Sequence, residues 1–263
     1  MAKKSKPVFP TRALGRSLSV SMAGLRAGGA LAVDSAVSRV LGRNEEDPQS
    51  EFARREAQRF AAELGRLKGT YVKIGQMLAL FGEHFLPPVL VEALRDLSDQ
   101  TEPLHWDALE SFVRDSLGER FHELEIDPEA IAAASLAQVH LAKVRASGEW
   151  ICLKVQYPGL GAMIDSDFDA VVKMLVLARW VKSGRDLDNW MQSLRSHLHN
   201  EIDYQREAML TEKMASLVAD LNPPGVHYHV PELHRRYCTG DLLALEYLEG
   251  YSVVDPDIAD LSP

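Results

Sequence analysis

Two lysines and a run of carboxylates are the residues of this chain best suited to chemistry. Lys154 stands in "WICLKVQYP", where alternation puts Trp150, Cys152, Lys154 and Gln156 on one face of a β-strand and Ile151, Leu153, Val155 and Tyr157 on the other. An ammonium so placed either reaches water along its own stem at a strand edge or meets an acidic partner, because an unpaired buried charge is too costly. Just upstream, "IAAASLAQVH" sets Ala132, Ala133, Ala134 and Ser135 in a row. Such small side chains let backbone approach a ligand closely, and N–H groups in a tight turn bind anions such as phosphate. Carboxylates follow in "HNEIDYQREAMLTEKM", where Glu201, Asp203 and Glu207 are expected on one long amphipathic helix. Asp203 and Glu207 are four apart and share a face, with Arg206 and Lys213 at hand as local partners and a merely solvated charged face as the plainer alternative.

The elements that must position these groups follow from periodicity and turn signals. "RLKGTYVKIGQMLAL" belongs to a long helical pattern from about Glu51 to Phe81, and puts Lys73 and Gln76 one turn apart with no carboxylate beside them in sequence. Pro87 and Pro88 open a helix through about Ser98, and "TEPLHWDALESFVRDSLG" starts another. After Pro128 the period changes: "SLAQVHLAKV" and "WICLKVQYP" read as a hairpin joined at Ser147 and Gly148. Helices are expected from about Gly161 to Lys182 and from Leu187 to Leu221, stopped by "NPPG". "HVPELHRRY" and "LLALEYL" then read as a second hairpin around "CTGD". That order predicts an α+β fold, a small antiparallel sheet with helices packed on it behind a helical extension.

The whole chain narrows the function classes. Its 263 residues, 46% hydrophobic and 25% charged, suit a domain or two with a sizeable core. The longest apolar stretch, Ala170 to Val181, carries Lys173 and Arg179 and is too short to span a bilayer, which takes roughly 20 residues. Cys152 and Cys238 have no CxxC spacing, so a reducing cytoplasm is the expected setting. The net charge of −9 hides an asymmetry, because residues 1–43 hold eight Lys and Arg against one Asp. That segment is a candidate for a plain surface helix or for peripheral contact with a membrane surface. An acidic body without interleaved basic and aromatic residues argues against nucleic acid. His227 and His229 alternate on one face but have no third ligand tied to them, so no metal site is predicted.

Small residues, turn, strand lysine and helical carboxylate follow the order of the nucleotide-binding lobe of protein kinases. With "KIGQ" at Lys73 to Gln76, "AAAS" at Ala132 to Ser135 with "QVH" after it, "KVQYPG" at Lys154 to Gly159 and "EIDYQREA" at Glu201 to Ala208, the chain resembles the UbiB/AarF group of atypical protein-kinase-like proteins. The likeness covers about residues 50 to 250 and includes "LPP" at Leu86 to Pro88. It implies a kinase-like N-terminal lobe at about 128–255, a helical extension bearing the KxGQ motif at 51–127, and the basic segment 1–43 in front. It further implies a link to ubiquinone and related isoprenoid-lipid metabolism, with ATP or ADP bound and ATPase activity in place of protein phosphorylation. In this likeness Lys154 contacts phosphate and pairs with a carboxylate, Glu207 being the choice over Glu201. Lys73 meets Glu201, with Gln76 and Asp203 beside them, and Ala132 to Ser135 replace a glycine-rich loop.

The resemblance breaks after Gly250, where "VVDPDIADLSP" has no catalytic-loop aspartate and no DFG-like motif, and "DFD" at Asp167 to Asp169 comes too early to serve. The expectation is therefore a chain without the C-terminal lobe, for which magnesium matters only if that lobe is supplied. The alternatives are a shortened product, one half of a split enzyme completed by a companion chain, or a noncatalytic adaptor that docks to a membrane surface, isoprenoid lipid or partner.

Overall fold

A computed structural model describes residues 51–97, 102–181, 185–221 and 227–251. The basic segment 1–43 lies outside these residues.

The chain opens with helices α1 (Glu51–Leu67), α2 (Thr70–Phe81) and α3 (Pro88–Arg95). The single helix expected from Glu51 to Phe81 is two, because Lys68 (φ 57°) and Gly69 (φ 60°) turn left-handed in succession. Gly69 combines that φ with a ψ of −130°, a region essentially closed to side chains. The break lets α2 fold back onto α1 and α3. Gly75 sits at the crossing: a Cβ there would collide with Leu97 and come within 3.1 Å of Leu64. Ala57, Phe60, Leu64, Ile74, Leu78, Leu90 and Leu94 bury the shared face.

Helix α4 (Glu110–Leu117) leads into strands β1 (Leu124–Ala133), β2 (Ala137–Val144) and β3 (Trp150–Gln156), and β4 (Leu242–Glu246) follows three further helices. The four strands form one antiparallel sheet in the order β1-β2-β3-β4. The α+β expectation holds, with two corrections to its strands. β1 escapes the sequence pattern because Pro128 and two register shifts, between Ile126 and Ala132, blur its alternation; proline is tolerated on such an edge. The second expected hairpin is reduced to one antiparallel bridge: β4 pairs along its length with β3, from Ile151↔Glu246 to Val155↔Leu242, and "HVPELHRRY" meets it only around Leu233↔Leu245.

Opposed residues of an antiparallel pair share a face, so the register sorts the sheet into two. One face carries Ala142, Ile151, Leu153, Val155, Leu242 and Ala244, all 0% exposed, against Leu109, Val113 and Leu117 around α4. The other carries the row Ala132↔Val139↔Lys154↔Leu243.

Helices α5 (Leu160–Leu177), α6 (Arg185–Glu201) and α7 (Tyr204–Leu221) complete the fold. α5 and α6 join the core of α1 to α3 through Ile164, Phe168, Val171, Met174, Leu194 and Leu198. Buried Thr70, at the start of α2, donates its hydroxyl to the buried carboxylate of Asp167 on α5. The helix expected from Leu187 to Leu221 is likewise two. It breaks at Ile202 and Asp203, where the Asp203 Oδ1 accepts from the Arg206 N–H at 2.9 Å and caps α7. Aspartate favours such a cap over a helix interior because its side chain replaces the missing backbone partner.

Candidate functional site

The break between α6 and α7 organises the site. Glu201 is the last residue of α6 and Glu207 lies in the first turn of α7, so the three carboxylates are not on one continuous helix and the kink aims them apart. Lys154 Nζ reaches both oxygens of Glu207, at 2.7 Å and 2.9 Å. Lys73 Nζ meets Glu201 Oε2 at 2.8 Å. Asp203, between them, is engaged in the cap.

The Lys154–Glu207 pair is about one-third exposed on each side chain, so water screens it in part and its net contribution to stability is at most about 1 kcal/mol. Its value is orientation. The ammonium also lies 4.8 Å from the centroid of the Tyr204 ring, a cation–π contact beneath the pair. Tyr204 is buried, and burial, then the Glu207 and Glu201 charges, pushes its phenol far above its usual pKa, so it stays neutral.

On the sheet face shared with Lys154, α7 covers only one side. Leu243 of β4 is 0% exposed under Tyr204 and Ala208. Toward β1 and β2, Val139 is half-buried and Ala132 and Ala134 are exposed. Among the described residues the other half is left as a shelf with an oriented cation at its edge and small side chains across from it. This fits a phosphate-bearing ligand in two respects, charge and access. It departs in a third, because the Ala134 N–H donates to Ala137 O at 2.8 Å to close the β1–β2 turn and is not free for an anion. Ala133 ends β1, and Ser135 is buried.

Lys73 and Gln76 open onto a groove of about 410 Å³ between α2, α3 and α6, which Met77, Leu94, Arg95 and Glu201 also line. Gln76 Nε2 donates to Leu97 O at 3.2 Å, tying α2 to the end of α3. Phe81 stacks on His197 across the groove, with centroids 5.4 Å apart.

Several of the other polar residues have structural partners. Asp169 and Asp165 clamp Arg195, joining α5 to α6, and His229 Nε2 meets Glu246 Oε2 at 2.8 Å. No group of three or more metal-ligating side chains occurs among the described residues. No helix among them is long and apolar enough to cross a membrane. Sequence reasoning gave no role to Tyr204 or Gln156, though both stand inside quoted motifs and Gln156 shares the face of Lys154 by alternation.

The profile of the ABC1 atypical kinase-like domain matches residues 96–261. The atypical kinase COQ8, mitochondrial, of Schizosaccharomyces pombe is 29% identical over 224 residues, 84% of this chain and 36% of that protein. Its namesake in Saccharomyces cerevisiae is 30% identical over 198 residues, 74% of this chain and 38% of that one. The probable serine/threonine-protein kinase abkA of Dictyostelium discoideum is 32% identical over 214 residues, 77% of this chain and 37% of that one. The chain thus spans under two-fifths of the length of each of these relatives. A solved structure described as a complex of Rv3197 with erythromycin, from Mycobacterium tuberculosis, covers 79% of this chain and 52% of its own at 24% identity and a TM-score of 0.46, too loose a likeness to bear on the site. With its matched region taking in the sheet, the strand lysine and the kinked helix pair, this chain belongs to the ABC1 atypical kinase-like family.

Proposed function

We propose that the chain holds the nucleotide site of a UbiB-like atypical kinase or ATPase acting in isoprenoid-quinone metabolism, ubiquinone included, with ATP or ADP bound on the open half of the sheet. The reading is carried by one observation: Lys154 is fixed by both oxygens of Glu207 at 2.7 Å and 2.9 Å while one-third exposed. A cation held in place yet open to solvent can accept a phosphate without first being ordered, which is the source of preorganised electrostatic stabilisation. Lys154 would contact phosphate, Glu207 and the Tyr204 ring would hold it there, and Val139 with Ala132 would face the base. Bound nucleotide would supply the phosphoryl group. Transfer also calls for metal ions bridging the phosphates, and magnesium would be held by carboxylates beyond those described, on this polypeptide or a companion.

Calorimetry of ATP and ADP, with and without magnesium, on the 263-residue chain and on Lys154→Ala tests this reading. Saturable binding that the substitution weakens at least about tenfold is expected, since charge-assisted contacts contribute roughly 1.5–3 kcal/mol. A folded wild-type chain that takes up neither nucleotide overturns it.

A second reading, a noncatalytic module docking to a membrane surface, draws on Leu210, Met214, Leu217 and Leu221, each 45% or more exposed and spaced along one stripe of α7. Flotation with anionic liposomes, with and without residues 1–43, tests it, and failure of the 263-residue chain to float discards it.

A further inference from the structure

We infer that Gln156 is the positioning residue that locks the kink between α6 and α7 to the strand bearing Lys154, and so holds the Lys154–Glu207 pair together. Gln156 ends β3 two residues beyond Lys154, on the same face. The residue is 94% buried, an expensive place for an amide without a hydrogen-bond partner. Its Nε2 donates to the backbone carbonyl of Ile202. Its own backbone N–H donates to Asp241 O at 3.0 Å, anchoring this end of β3 to the residue before β4.

Ile202 is the residue at which the helix fails. A broken helix leaves carbonyls without their usual partners, and here the orphan is taken by a side chain of the sheet. The contact therefore fixes the kink where it matters. Glu201 is one residue before Ile202, the Asp203 cap is one after, and Glu207 follows one turn later. β3 thus grips this segment twice, through Gln156 at the kink and Lys154 in the first turn of α7. Cutting the first grip lets the first turn of α7 drift on the sheet, and the ammonium of Lys154 loses its chelating carboxylate. The contact between Lys73 and Glu201, on the α6 side, has its own support from the packing of α6 with α5 and is less affected.

This inference rests on the nucleotide-site reading only for its consequence for binding, so its test starts without nucleotide. The probe is hydrogen exchange of the ¹⁵N-labelled Lys154 ammonium in the 263-residue chain, assigned with Lys154→Arg, with Glu207→Gln as the reference for a released lysine. Gln156→Met keeps the length and removes the donor. It is expected to speed Lys154 exchange by about fivefold, the coupling typical of neighbours in one polar network, toward the Glu207→Gln value. Gln156→His, which keeps an N–H at the same reach, is expected to restore the wild-type rate even where it lowers the melting temperature as much. A residue that merely supports the fold would give both variants the same exchange. Should Gln156→Met not fold, Gln156→Ala takes its place. Lys154 exchange unchanged in a folded variant without the donor overturns the inference. If exchange moves as expected while the wild-type chain takes up no ATP or ADP, the nucleotide reading fails and the role of Gln156 stands. If nucleotide binds and exchange does not move, the reverse holds.

Discussion

Two lysines answer two glutamates here, and the pairing is not interchangeable. Lys154 takes both oxygens of Glu207, whereas Lys73 meets Glu201 on the far side of the kink. The two glutamates are therefore expected to differ in their effect on ligand. Glu207→Gln frees the ammonium from its chelating partner and should weaken ADP or ATP affinity by about fivefold, the magnitude of one partly screened charged contact. Glu201→Gln leaves that ammonium in place and should change affinity less than about twofold, because Lys154 is held by Glu207 while Glu201 is held by Lys73. Calorimetry on both variants checks this, and equal losses would show that the kink passes its strain from one pair to the other. The sequence placed these residues in one motif, but spacing alone could not say which carboxylate meets which lysine. A two-residue break turns Glu201 and Glu207 to different neighbours, and only the Asp203 cap, legible as a cap type, hinted at it.

At the scale of elements, two expected long helices are each a broken pair, and each break serves the site. The first, at Lys68 and Gly69, folds α2 onto α1 and α3 so that Lys73 faces α6. Gly75 makes that crossing close enough. Gly75→Ala should cost about 1–3 kcal/mol, the usual range for overpacking a filled core, and should lower the melting temperature measured by circular dichroism. The tight neighbours are the ends of Leu97 and Leu64, so some of the clash can be relieved by rotation. A melting temperature equal to that of the wild type would mean that α2 and α3 are less closely apposed than their geometry requires. Periodicity reads through both breaks because the hydrophobic repeat of each helix continues almost in phase across it. The missed strand β1 has the opposite cause: its bulges shift the alternation that would have revealed it.

For the molecule as a whole, a polar network in the sheet's buried face contributes to acid sensitivity. His140 is 0% exposed, and its Nδ1 is 2.7 Å from the Asp127 carbonyl, which can only accept. The proton is therefore on Nδ1, and Nε2 accepts from Gln138 Nε2 at 2.8 Å. Gln138 in turn exchanges two hydrogen bonds with the backbone of Leu104, fastening the segment before α4 to the sheet. Burial pushes the His140 imidazole below its ordinary pKa of 6.5. The unfolded chain thus binds the proton more readily than the folded one. The stability this histidine contributes is complete above about pH 6.5 and is lost as pH falls below it, with a slope of at most about 1.4 kcal/mol per pH unit. Urea unfolding between pH 7.5 and 5 should show that fall, and His140→Gln should flatten it. The carboxylates held below their usual range by Arg236, Arg195 and Arg235, namely Glu123, Asp165 and Glu212, lose their contribution only in the more acidic carboxylate range.

The sequence by itself determined the class of fold and the family and nominated the paired residues of the candidate site, because each is written in local pattern: alternation around Lys154, helical spacing around Lys73, and four motifs in fixed order. Tertiary structure decided the rest. That Glu207 and not Glu201 takes Lys154, that Ala134 closes a turn with its N–H, that half of one sheet face stays open among the described residues, and that Gln156 grips Ile202 all depend on how the elements fold against one another. Such contacts are set by where helices break and strands pair, and a local pattern records the tendency of a segment to be helix or strand but not the neighbour it will find.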